Sequence, residues 1–176
     1  MDQNEITAFE PWLRGTLSDI PAVPRAVLHA LELAKEDLNR WAVDLSDKEL
    51  NLRPFGTASV AFHMRHIARS LDRLLSYAEG HALNAEQFSL LKSEETFEGR
   101  REELFEEFST AIGLSTARVK ALASFDLSKM REVGSKKLPS TLGGLLVHVA
   151  DHTQRHVGQA ITTAKIVSAQ RGKQVS

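Results

Sequence analysis

Five prolines, at positions 11, 21, 24, 54 and 139, stand outside every stretch of this 176-residue chain in which apolar residues recur. Proline removes a backbone donor and clashes with the preceding helical turn, so this placement leaves long segments free to be helical. In those segments apolar residues recur every three or four positions, the spacing that builds one buried stripe on a helix. The first predicted helix runs from about Pro24 to Trp41, with Val27, Leu31 and Leu38 inward and Pro24 suited to its first turn. The second runs from near Thr57 or Ser59 to Glu79, and Gly80 supplies a left-handed terminator. Asn84 caps a shorter helix through about Leu91. The third long helix spans Phe97 to Ala123, its buried side marked by Leu104, Phe105, Phe108, Ile112, Val119 and Leu122. Glu102, Glu103, Glu106 and Glu107 read as its solvated face. Residues 126–140 read as a polar connection, and Ser140 or Thr141 caps a fourth helix reaching about Ser168.

No run alternates with period two over a strand length, and no internal repeat is present. Four long helices in about 150 residues predict an all-α protein, a four-helix bundle of up-down-down-up or related topology with an extra short helix. One bundle domain is expected over residues 24–170, with residues 1–23 as an extension packed on it and 171–176 as a frayed tail.

Twenty-two basic against 23 acidic side chains give a formal net charge of -1, so no global basic field invites nucleic acid. Cysteine is absent, which excludes disulfides, thiolate-ligated zinc, iron–sulfur clusters and a nucleophilic thiol of the protein's own. A chain of this length buries roughly 70% of the surface its unfolded form exposes, so it needs no metal merely to hold a core. Any metal would serve function. The first residues are acidic and lack an apolar core, and apolar runs fall far short of the roughly 20 residues of a membrane span, which predicts a cytoplasmic protein without a membrane partner.

Seven histidines remain, and five of them fall in two short segments: His63 and His66 on the second helix, and His148, His152 and His156 on the fourth. Spacings of four stack the last three along one side of a helix. With Leu145 as reference, His152 and His156 lie within about 20° of the inward centre and His148 about 60° away. Burying neutral imidazoles is costly unless their nitrogens are satisfied, and a divalent ion does so more fully than stray backbone groups. A second helix offering a histidine is what bundle metal sites use. On the second helix Val60, Met64, Ile67, Leu71, Leu74 and Leu75 define an apolar face, and periodicity alone favours His63 over His66 as the histidine this helix offers to the metal. His66 shares a stripe with Phe62, Arg69, Arg73 and Tyr77. The late segment is not a zincin motif, since Thr153 and not glutamate follows His152.

The segments HIA at 66–68 and HVADHTQRHVGQ at 148–159 resemble the DinB/YfiT superfamily, DinB-like four-helix bundles in which three histidines bind one metal. The resemblance extends through helix order and length over about residues 20–168. It implies that the triad falls on His66, His152 and His156. Val157 departs from the pattern, standing where many relatives carry a second basic or histidine-type residue. The resemblance further implies a thiol-dependent transferase or isomerase using bacillithiol, mycothiol or glutathione, or a metal-dependent hydrolase, and a homodimer.

Three neutral imidazoles leave an ion its full charge and an open coordination position, as in catalytic and not closed structural sites. They suit zinc or nickel best, then iron, cobalt or manganese. The expected function is thus a metal-dependent enzyme transferring a low-molecular-weight thiol or hydrolysing a small molecule. The alternative is a non-catalytic binding or scaffold bundle with packed histidines. His63, His148, Asp151 and Gln159 are at helical distance to orient the ligands, and Arg69 and Arg73 could hold an anionic substrate.

Overall fold

Four long helices dominate the computed structural model, which describes residues 8–94 and 98–173. They are α1 (Ala22–Ala42), α3 (Val60–Glu79), α5 (Arg101–Leu122) and α6 (Leu142–Lys173). Two short helices, α2 (Asp47–Leu50) and α4 (Ala85–Lys92), lie in the connections, and strands β1 (Met130–Val133) and β2 (Leu138–Thr141) form a hairpin before α6. The all-α four-helix bundle is therefore the fold, with two short helices and a small hairpin added.

Element ends follow local chemistry. Ser59 accepts the amide of Phe62 and starts α3, and Gly80 ends it at φ 92°, a left-handed conformation that costs glycine nothing. Asn84 and Gln87 exchange side-chain and backbone bonds at the start of α4, as do Ser46 and Glu49 at α2. Thr141 accepts the amide of Gly144 in the first turn of α6.

Each long helix packs against two others: α1 against α5 and α6, and α3 against α5 and α6. The sequence-consecutive pairs α1/α3 and α5/α6 are therefore diagonal, which their long connections permit. The core between them is filled by fully buried side chains such as Leu31, Leu38, Met64, Ile67, Leu71 and Leu146. Ahead of α1, Leu17 and Ile20 pack on this core and Arg14 pairs with Glu32 at 2.9 Å and Glu36 at 2.6 Å on α1.

Several expectations change. The connection over 126–140 contains the hairpin, in register Met130 with Thr141 and Val133 with Leu138. Period-two patterning could not reveal it, because Met130 is exposed and the inward residue of β1 is Arg131. That guanidinium donates through Nε to the carbonyl of Ala78 at 2.5 Å, satisfying the last turn of α3. Helix α5 begins at Arg101, and Phe97, its expected start, lies outside the described residues. Glu107 is not simply solvated: half-buried, it pairs with Arg69 at 3.0 Å and Arg65 at 3.4 Å. Helix α6 continues through residues 171–173 of the expected frayed tail, and 174–176 lie outside the described residues, as do 1–7 of the expected extension.

Candidate metal centre

The packing of α3 on α6 brings His63 and His66 against His152 and His156. One ring nitrogen each from His66, His152 and His156 lies within 4.8 Å of the others, a set that could hold one metal ion. Nε2 of His66 is 3.3 Å from Nε2 of His152. Tetrahedral coordination at about 2.0–2.1 Å separates ligand nitrogens by about that distance.

The outer nitrogens decide the protonation pattern. Nδ1 of His66 lies 2.7 Å from the carboxylate of Glu94, so it carries the proton and donates. Ser70 gives its hydroxyl proton to the carbonyl of Ile67 at 3.1 Å, which leaves its oxygen to accept from Nδ1 of His152 at 3.4 Å. Both Nε2 atoms therefore present lone pairs to each other, an arrangement that is repulsive until a cation stands between them. Nδ1 of His156 is taken by Nδ1 of His63 at 3.1 Å, and its Nε2 is left for an ion. The donor set thus fits a divalent metal.

Burial, then the neighbouring imidazoles His156 and His66, pushes the pKa of His152 down to about 4. His156 is held at about 4 by burial and by His66, and His63 at about 4 by burial and by His156 and His66. All three rings are neutral at pH 7, the state a metal requires. Burial alone would raise the pKa of the Glu94 carboxyl, but hydrogen bonds from His66 and Arg73 outweigh it and hold the group below its ordinary value. Glu94 is 4% exposed and bridges Nδ1 of His66 and Nη1 of Arg73, the latter at 2.6 Å.

The other sequence-predicted residues have distinct places. His63, which periodicity alone favours as the ligand, is buried behind His156 and lies outside the three-nitrogen set. His148 stands edge-on to His152, centroids 5.5 Å apart, with its Nδ1 3.8 Å from Asp151. Asp151 accepts Nη2 of Arg155 at 2.5 Å. Gln159 is exposed and makes no side-chain hydrogen bond among the described residues. Arg69 is buried against Glu107, the carbonyl of Leu90 and Ser93, and Arg73 against Glu94, so both are committed to protein partners. His152 and His156 do not occupy the centre of the inward face. That line runs through Leu142, Leu146, Val149, Thr153, Val157 and Ala160, and the two histidines flank it, half-buried.

Sequence reasoning missed Glu94 and Ser70. Ser70 lies one turn beyond His66 on the same helix, which is a usable signal. Glu94 follows α4 among other acidic residues, 28 positions from His66, with no periodicity to mark it. Phe62, stacked on His66 at 5.5 Å and 13°, completes the surroundings.

The profile of the DinB superfamily matches residues 30–160. The chain belongs to the DinB superfamily. Its bundle is also similar to a crystal structure described as the conserved protein of locus from Enterococcus faecalis, with a TM-score of 0.69 and 19% sequence identity. The match covers 85% of this chain and 99% of that one, and at this identity it speaks to the fold alone. A comparison with curated proteins finds no significant match. Membership of the DinB superfamily and the three-histidine cluster are together compatible with a metal-binding protein. No described helix is long and apolar enough to cross a membrane.

Proposed function

We propose that this chain is a metal-dependent enzyme acting on a small molecule, by transfer of a low-molecular-weight thiol or by hydrolysis, with one divalent ion on His66, His152 and His156. The observation that carries the reading is the pair of Nε2 atoms facing each other at 3.3 Å with both outer nitrogens already engaged. Zinc or nickel suits three imidazole donors best, with iron, cobalt and manganese next. An ion there supplies Lewis acidity at an open position, the chemistry that makes a thiol or a water nucleophilic near neutral pH.

The protein's own groups set the frame. Glu94 holds the tautomer and orientation of His66, Ser70 those of His152, and His63 those of His156. His148 borders the triad on its solvent side, with its side chain 46% exposed. Any reactive sulfur must arrive with a substrate, because the chain has no cysteine. The same reading expects a cytoplasmic protein, where thiols stay reduced, and a homodimer, as the family resemblance implies.

The test is consumption of glutathione or bacillithiol by untagged, zinc-loaded protein in the presence of an electrophile, with an ester panel run without thiol. Turnover that His152→Ala abolishes and His148→Ala largely retains is expected. Turnover no greater than that of His152→Ala, in both assays, contradicts the proposal.

A further inference from the structure

Between the end of α3, the start of α4 and the hairpin lies a cavity of about 920 Å³ whose wall includes Tyr77, His81, Phe88, Lys129, Met130 and Arg131. Ala78, the residue that Arg131 caps, stands roughly 18 Å along the axis of α3 from His66, at 1.5 Å per residue. The cavity is therefore separate from the triad, and none of the three histidines lines it.

Arg131 is the unusual member of its wall. It is 7% exposed, and no carboxylate pairs with it among the described residues. A buried charge is costly unless it is paired and hydrogen-bonded. Capping α3 accounts for only part of the guanidinium: Nε donates to the carbonyl of Ala78 and Nη1 to that of Met130 at 2.9 Å. Both N–H groups of Nη2 are left without a partner among the described residues, and protein atoms do not enclose that nitrogen, so it opens onto the cavity. The ammonium of exposed Lys129 likewise has no partner among the described residues, nor do the hydroxyls of Tyr77 and Ser135 on the same wall. The wall's two carboxylates are engaged elsewhere. Glu79 accepts Nε and Nη2 of Arg118 at 2.7 and 2.8 Å, and Glu132 pairs with Lys137 at 3.3 Å.

We infer that this cavity is a second binding site, for a small molecule that carries a phosphate monoester on an apolar, ring-sized body. Arg131 and Lys129 leave two positive charges unmet, the charge that a phosphate monoester brings at neutral pH and a single carboxylate does not. The unspent Nη2, ammonium and hydroxyl groups are all donors, as its oxygens require. The body lies against Tyr77 and the exposed side chains of Phe88 and Met130. A small ligand fits better than a polyanion, because the cationic groups gather in one concavity on a chain of net charge -1.

The experiment titrates the ¹⁵N-labelled, untagged full chain with phenyl phosphate, benzoate and inorganic phosphate at fixed ionic strength, following amide chemical shifts. Saturable shifts at Gly80, His81, Arg131 and Ser135 are expected with phenyl phosphate, and they persist in His152→Ala, which separates this site from any ion on the triad. Benzoate and inorganic phosphate should each bind about tenfold more weakly, the first for its lower charge and the second for its missing body. Arg131→Gln should lose about tenfold or more in affinity for phenyl phosphate. Lys129→Glu, an exposed change that leaves the fold intact, should lose about fivefold, so the inference stays open to refutation even where Arg131→Gln fails to fold. Shifts confined to the surroundings of His66 and His152, shifts that vanish in His152→Ala, or affinity unaltered by Lys129→Glu overturns the inference. Benzoate or inorganic phosphate binding as tightly as phenyl phosphate overturns it too.

Discussion

Glu94 is the residue on which the geometry of the triad most depends after the histidines themselves. A carboxylate behind a ligating imidazole fixes its ring and strengthens it as a donor, and losing such a partner typically costs about 10–100-fold in metal affinity. Glu94→Gln keeps shape and an acceptor for His66 but removes the charge and leaves buried Arg73 without its counter-ion. Zinc affinity, measured against a chromophoric chelator, should fall within that range, and an unchanged value would detach Glu94 from the site. The histidines make a pH prediction for the metal-free protein. In the folded chain His63, His152 and His156 titrate near 4, and in the unfolded chain near the ordinary value of 6.5. Between those values the unfolded state binds more protons, so stability is fully present above about 6.5 and is lost as pH falls toward 4. Glu49, held at about 2 by Arg171 and Ser46, loses its contribution only at lower pH, which keeps the histidine window separate. The urea midpoint should therefore drop between pH 6.5 and 4.5, and a flat profile there would contradict the burial of these rings.

At the scale of elements, legibility followed the kind of signal each segment carries. Long helices with 3.6-residue periodicity and caps such as Ser59, Gly80 and Asn84 were readable because those signals are local. The hairpin was not, because four-residue strands offer little alternation and the inward Arg131 serves the end of another helix. Periodicity alone prefers His63 as the second helix's ligand, whereas the set of ring nitrogens that could hold an ion contains His66 and leaves His63 against His156, because inward position does not distinguish a ligand from the residue behind it. That choice depends on how α3 sits against α6, and Glu94 depends on a contact across 28 residues. Since α3 carries both His66 and Ser70, its cap matters to the site. Ser59 is buried and its Oγ accepts the amide of Phe62 at 3.1 Å. Ser59→Ala should destabilise the protein by about 1 kcal/mol, lowering Tm by about 2–4 °C for a chain of this size. Calorimetry of the metal-free protein checks this.

At the scale of the whole molecule, the diagonal placement of α1/α3 and α5/α6 is what lets α3 and α6 become neighbours and share a site. The bundle needs no ion to fill its core, yet an ion that binds only the folded state stabilises it by mass action, by about 2.7 kcal/mol at a hundredfold excess over Kd. Zinc should accordingly raise Tm by several degrees, and a chelator should reverse the rise. The most direct measurement is elemental analysis of the untagged protein beside His152→Ala and His148→Ala. One divalent ion per chain in the parent, lost from His152→Ala and kept by His148→Ala, is the predicted result. A folded parent without stoichiometric metal after zinc loading, or a His152→Ala variant that holds it as well, would contradict the metal centre.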